Sequence, residues 1–174
     1  MEKIYLGINW EQNSSACLMI DGKIIGSTSE ERFTRIKNDE RYPVNAINWL
    51  LKEFKIKKNQ ITKVCIISNA WTPTYSLTRH YTNMSIEDYI REQKEVWYPR
   101  LYQKKKISYI SKFENHLDLN QFPGKNYWKN KIRHIKKNDH ASDKENIELG
   151  KLIRKEIVNM HLKIEKEKIK FIDH

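Results

Sequence analysis

An Asp-Gly pair at positions 21 and 22, set between two short apolar runs, constrains this chain more than any other feature. Both residue types tolerate positive φ, which the tight turn of a two-residue hairpin demands. Residues 16–20 (Ala-Cys-Leu-Met-Ile) and the run opening at Lys23-Ile24-Ile25-Gly26 are therefore predicted to pair antiparallel. A further apolar run, residues 3–9, precedes the polar stretch Glu11 to Ser15, so the chain is expected to open with an antiparallel meander. Pro43 stands where a helix can start, because its missing N–H costs nothing there. Val44, Ile47, Leu50, Leu51 and Phe54 follow at helical spacing. Val64-Cys65-Ile66-Ile67 reads as a fourth strand. Three strands, a helix and another strand indicate α/β or α+β.

Further along, Ser85 can cap a helix through Ile86, Tyr89 and Ile90 towards Val96, expected to end before Pro99. Residues 107–117 suit another short helix. Ser142-Asp143-Lys144-Glu145 is a capping box. The helix it opens carries Leu149, Leu152, Ile153, Ile157, Met160 and Ile164 on one stripe. Residues 168–172 then read as a buried strand. Neither a repeat nor a linker interrupts residues 1–174, so a single domain is expected. The chain stops at Phe171-Ile172-Asp173-His174, straight after an apolar run. Domains usually end in a frayed polar tail, so the ending is expected to fall inside a domain.

Charge sets the partners in view. Lys and Arg total 33 against 22 Asp and Glu, a formal net charge of +11. A polyanionic partner is one consequence of such an excess. Here the excess is scattered, with only short runs at Lys104-Lys105-Lys106 and Lys136-Lys137, and charge alone does not argue for nucleic acid. Residues 71–140 are dense in aromatics interleaved with Lys and Arg. Such rings can stack on bases, but core or interface is the plainer role. Cys17 and Cys65 belong to no CxxC pair, which speaks against zinc and for reduced, buried thiols in a cytoplasmic protein. No signal-peptide pattern and no stretch of transmembrane length is present, so no membrane partner is expected.

Three places offer chemistry. The turn Trp10 to Ser15 is expected to expose backbone N–H groups beside Ser14 and Ser15, donors that suit a phosphate or carboxylate; a self-bonded turn would look the same. Ser29-Glu30-Glu31-Arg32-Phe33-Thr34-Arg35-Ile36-Lys37 packs two carboxylates and three cations around an apolar side chain. It reads either as a solvated, salt-bridged segment or as a clamp for a carbamoyl or phosphate group. Asp173-His174 ends a strand-like run, a position suited to a metal or to proton transfer. His80, His116, His134, His140 and His161 show no ligand spacing and read as ordinary surface or core histidines.

Leu6-Gly7-Ile8-Asn9, Ser15-Ala16-Cys17-Leu18, Asp21-Gly22-Lys23-Ile24, Glu30-Glu31-Arg32-Phe33-Thr34-Arg35-Ile36-Lys37 and Tyr42-Pro43-Val44-Asn45-Ala46-Ile47 follow one another in order. In that order they resemble the opening of the NodU/CmcH-type carbamoyltransferases. Phe171-Ile172-Asp173-His174 is similar to the start of that family's Asp-His-His-x-x-His motif. The resemblance covers residues 3–67 and 168–174, and the middle is placed by position alone.

The resemblance implies an α/β fold: the incomplete N-terminal part of an actin/hexokinase-like (ribonuclease H-like) nucleotide-binding domain. The family's C-terminal adenylate-forming domain is absent from residues 1–174. It implies a transferase that makes carbamoyl adenylate from ATP and carbamoyl phosphate, then moves the carbamoyl group to a hydroxyl of a sugar or natural product. By position, His174 matches the family's first metal-binding histidine, with a divalent metal, iron, as its ion. Lys37 matches a basic position able to touch the intermediate, and Ser14 and Ser15 lie near the expected nucleotide. The family's catalytic His-Asp pair is replaced here by Gln12 and Asn13, and neither side chain takes a proton near neutral pH. Lacking the adenylate-forming domain and the rest of the metal site, residues 1–174 by themselves are expected to be inactive, and the full-length form to be compatible with a homodimer. Two other readings stay open: a non-catalytic nucleotide- or partner-binding module of the same fold, and a basic RNA-binding protein.

Overall fold

Among the described residues five strands make one sheet, in the order β3-β2-β1-β4-β5. The computed structural model describes residues 2–67, 72–80, 82, 84–138 and 143–172. The strands are β1 (Ile4–Asn9), β2 (Ser15–Ile20), β3 (Lys23–Ser29), β4 (Ile61–Ile67) and β5 (Ile169–Ile172). The expected hairpin forms at Asp21 and Gly22, with φ of 46° and 84°. Lys3 N–H fastens it by donating to Asp21 Oδ1 at 2.8 Å. β2 runs antiparallel to both neighbours, while β4 is parallel to β1 and β5 is parallel to β4. β2 therefore opposes the other four strands, and the protein is α/β with a mixed sheet.

The chain divides into two compact units, residues 1–71 with 151–174, and residues 72–150. The sheet belongs to the first. Along β1, Ile4, Leu6 and Ile8 are buried, and the alternate residues are partly covered. Helix α1 (Glu31–Thr34) is a single turn, and α2 (Val44–Glu53) lies on β2 and β3 with Ala46, Ile47, Leu50 and Leu51 buried. The approach is close at Gly26, where a Cβ would stand 2.5 Å from Phe54 Cε2 and 3.2 Å from Leu50 Cδ2. Gly26→Val is therefore expected to cost about 1–3 kcal/mol through overpacking. Urea unfolding measures it, and an unchanged midpoint would mean that the ring moves aside freely.

Cys17 and Cys65 are free and half-buried rather than fully buried. Both pair with Gly7, one from each neighbouring strand. Two strand spacings, roughly 9.5 Å, separate them, beyond the roughly 7 Å limit for a disulfide.

The second unit holds α3 (Pro73–His80), α4 (Ile86–Glu92), α5 (Tyr98–Leu101), α6 (Tyr109–Phe113), α7 (Lys125–Asn138) and the first turns of α8 (Asp143–Leu162). Val96, Tyr109 and Phe113 form a buried cluster with Met84, Trp97 and Ile107 against it. Ser85 caps α4 as expected, its Oγ accepting from Asp88 N–H while Asp88 Oδ2 accepts from Ser85 N–H.

The chain does not stop before Pro99. A π-helical stretch, Gln93–Trp97, leads without a break into α5, which carries Pro99. On α8 the buried stripe is Ile153, Arg154, Ile157, Val158, His161 and Leu162; Leu152 and Met160, expected on it, are 47% and 39% exposed. Its buried stripe thus carries two polar residues among the apolar ones. Ser142, expected to cap α8, lies outside the described residues.

Candidate functional site at the carboxyl ends of the parallel strands

In open α/β sheets, ligands bind beyond the carboxyl ends of the parallel strands. Asn9 pairs with Ile67, and Ile67 pairs with Ile172, so β1, β4 and β5 end level with one another. The turn after β1 carries Gln12 and Asn13, both exposed. Asn13 is left-handed at φ 60°, a conformation that Asn tolerates. Asn9 Nδ2 holds the turn by donating to the carbonyls of Gln12 and Asn13, each at 3.3 Å. The two amide side chains can donate and accept hydrogen bonds at this rim but cannot take a proton.

The two serines divide. Ser15 is the first residue of β2 and is partly exposed. Ser14 is fully buried, and its N–H, expected to face a ligand, donates instead to Asp39 O at 2.7 Å. Its carbonyl accepts from Glu30 N–H at 2.9 Å, and its Oγ has no hydrogen-bond partner among the described residues. Ser14 thus ties the turn to the Glu30–Asp39 segment through backbone bonds.

That segment is neither wholly solvated nor salt-bridged throughout. Glu30 is 2% exposed, and its carboxylate caps α2 from outside the helix. Oε1 accepts from Asn45 N–H at 3.2 Å and from Asn45 Nδ2 at 2.7 Å; Oε2 accepts from Ala46 N–H at 2.8 Å. Pro43, at the cap position, has no side-chain acceptor to offer. Burial pushes the Glu30 carboxyl up from its ordinary range, against the pull of these donors. Asp39, also buried, receives Arg41 Nε at 2.8 Å and Thr34 Oγ1 at 2.7 Å. Burial opposes its charge, but the Arg41 and Thr34 bonds outweigh it and lower its pKa.

Lys37 is exposed and lines an open hollow of ≈ 410 Å³ with Glu31, Arg32 and Arg35. Gln12, Asn13 and Lys37 therefore belong to two loops that meet by backbone at Ser14. His174 lies outside the described residues, and no three His, Cys, Asp or Glu among the described residues gather as a metal would require. The described residues supply no metal shell.

Two polar residues of α8 escape the apolar-stripe reading. Arg154 is fully buried, with its guanidinium carbon 4.5 Å from the Phe171 ring centroid in β5. Burial lowers its pKa to about 10, with Glu11 of the first turn acting the other way, so it keeps its charge at neutral pH. It is a buried cation between the β1–β2 turn and β5. His161 is 7% exposed; Nδ1 lies 2.9 Å from Tyr42 Oη and Nε2 lies 2.8 Å from Asn48 Oδ1. Tyr42 also packs on Trp10, ring centroids 4.8 Å apart, so this network reaches the base of the same turn. The sequence signal for both was a polar residue at the helical spacing of buried ones.

No family model matches the chain. Over 57 residues, 32% of its length, it is 40% identical to an uncharacterized protein, sll1178, of Synechocystis sp. (strain ATCC 27184 / PCC 6803 / Kazusa). The match spans 9% of that relative's length. Among the described residues no helix is long and apolar enough to cross a membrane.

Proposed function

We propose that residues 1–174 are the N-terminal segment of an O-carbamoyltransferase of the NodU/CmcH type, the opening part of an actin/hexokinase-like nucleotide-binding domain. The observation that carries the reading is the ordered series of motifs from Leu6 to Ile47, with its turn and its Glu-Glu-Arg-Phe segment joined at Ser14. The sheet order, with β2 alone reversed, is compatible with that fold, and β1, β4 and β5 end level where a nucleotide is expected.

In this reading water cleaves carbamoyl phosphate to carbamate and phosphate, and the carbamate oxygen attacks the α-phosphate of ATP, expelling pyrophosphate and leaving carbamoyl adenylate, in a C-terminal domain outside residues 1–174. The acceptor hydroxyl attacks the carbamoyl carbon, AMP departs with the bonding pair, and the hydroxyl proton passes to a base. Gln12 and Asn13 cannot be that base, so their role is to orient the acceptor by hydrogen bonds. Arg154 contributes fixed positive charge beneath the turn, which favours an anionic adenylate. Lys37 supplies a mobile cation at the neighbouring hollow. A divalent metal, if His174 holds one, would polarise the carbonyl or fix the phosphate.

Two readouts test this. The reading frame is followed past codon 174, where a His-x-x-His continuation and an adenylate-forming domain are expected. The protein encoded by the whole frame is then given ATP and carbamoyl phosphate, and pyrophosphate release that depends on carbamoyl phosphate is expected. A stop codon at that point, or release indifferent to carbamoyl phosphate, overturns the proposal in favour of a non-catalytic module.

A further inference from the structure

Helix α7 carries six cations and no carboxylate along 14 residues. Trp128, Ile132 and Ile135 turn inward and are buried. Lys125, Lys129, Arg133 and Lys137, four apart in sequence, are all exposed. With a rise of about 1.5 Å per residue, these four repeat every ~6 Å along ~18 Å of helix. Asn126, Asn130 and His134 form a second exposed row beside them. None of the four cations has an ion pair among the described residues; Lys136, by contrast, is bound to Glu114. Like charges four apart on a helix repel, and Lys125 also faces the positive end of the helix dipole. A sequence of this kind spends helix stability on a ridge of uncompensated charge. The cations, scattered in the sequence, are gathered by the helix onto one face.

The same unit exposes an aromatic pair. Tyr98 and Tyr102 are 53% and 76% exposed and stack on each other with centroids 5.2 Å apart and planes 30° apart. Lys104, Lys105 and Lys106 follow immediately, all exposed. Stacking rings beside a track of cations is how proteins hold single strands, because unpaired bases offer a face to the rings and the backbone offers charge. A duplex hides those faces, and a lipid surface has none.

We propose that unit 72–150 binds single-stranded nucleic acid, with the α7 ridge on its phosphate backbone. This stands apart from the carbamoyltransferase reading. The test is fluorescence anisotropy of the whole chain with a labelled single-stranded RNA of about 20 nucleotides. Four phosphate contacts predict that affinity falls about 50-fold between ~50 and ~200 mM salt, a log–log slope near −0.7 per contact. The variant Lys125→Ala, Lys129→Ala, Arg133→Ala, Lys137→Ala is expected to bind more weakly and to lose about 2.8 of that slope. Ala is the best helix former, and circular dichroism checks that α7 survives.

A second variant removes equal charge elsewhere, at Lys3, Lys23, Lys52 and Lys63, all exposed in the first unit, and should keep the slope. Tyr98→Ala with Tyr102→Ala should weaken binding with the slope unchanged. Equal loss in the two charge variants would mean that net charge alone acts, and it overturns the proposal. So does tighter binding to a duplex of the same sequence, or binding to phosphatidylserine vesicles but not to RNA.

Discussion

Lowering the pH from 7 to 4 is expected to cost the first unit roughly 3 kcal/mol through His161 alone. The imidazole sits between two fixed partners, Tyr42 Oη on Nδ1 and Asn48 Oδ1 on Nε2. Asn48 Oδ1 can only accept, so Nε2 carries the proton, and Nδ1 then accepts from the Tyr42 hydroxyl. Burial, with Glu30 nearby, raises the Tyr42 pKa well above its ordinary value, so the phenol stays a donor. Burial and then the Lys58 charge lower the His161 pKa to about 4. The ammonium acts at close range, since Lys58 Nζ donates to the His161 carbonyl at 2.6 Å.

An unfolded histidine titrates near 6.5. Between about 6.5 and about 4 the unfolded chain therefore holds a proton that the folded chain refuses, and stability falls as pH falls through that window. Glu30 works the other way, because its raised pKa returns stability on protonation. Asp39, with its lowered pKa, adds loss only further down, below the ordinary Asp range. The histidine's share is isolated by comparing urea midpoints at pH 7, 5.5 and 4 for the natural chain and for His161→Gln. The variant should start less stable and change less with pH. Parallel profiles would show that the imidazole is protonated inside the fold.

Glu30→Ala should destabilise by about 3 kcal/mol or more. It strands two backbone N–H groups and one amide at the start of a buried helix, each of which now meets a carboxylate. Hydrogen bonds to charged groups contribute about 1.5–3 kcal/mol each, and loss of an ordinary cap costs about 0.5–2. At a denaturant slope of about 2 kcal/mol per molar, the urea midpoint should drop by roughly 1.5 M. Glu30→Gln should cost less, since one amide oxygen still accepts. A loss below about 1 kcal/mol for the alanine variant would mean that water replaces the carboxylate easily, which its burial argues against.

Local signals in the sequence proved legible where the chain obeys local rules. Asp21-Gly22 demanded a hairpin, Ser85 a helix cap, and the Val44–Phe54 spacing a helix packed on the sheet. Glu30 was opaque for a physical reason: it caps a helix that begins 14 residues later, and nothing near it in sequence reveals that. Of the Glu-Glu-Arg-Phe segment, Glu30 serves the fold, whereas Arg32, Arg35 and Lys37 face a hollow. Helix α7 escaped notice because its inward face rests on Trp128, Ile132 and Ile135 amid lysines and asparagines. The stripe on α8 was misplaced by hydrophobicity, which favoured Leu152 and Met160 over Arg154 and His161. Those two are buried because each has a specific neighbour, the Phe171 ring and the Tyr42–Asn48 pair, that no periodicity encodes. His174 and Asp173 lie outside the described residues.

The pairing of β4 with β5 also sets a clock. β4 ends at Ile67 and its partner does not begin until Ile169, because the whole 72–150 unit is threaded between them. At about 5–20 residues per second of synthesis, the edge of β4 waits roughly 5–20 s for its neighbour. During that interval the carbonyls and N–H groups of Val64 to Ile67 are open to any other extended segment, including the same edge on a neighbouring nascent chain. Of the strands described, β5 is thus the last to arrive, and until it does the β4 edge stays open to competing pairing.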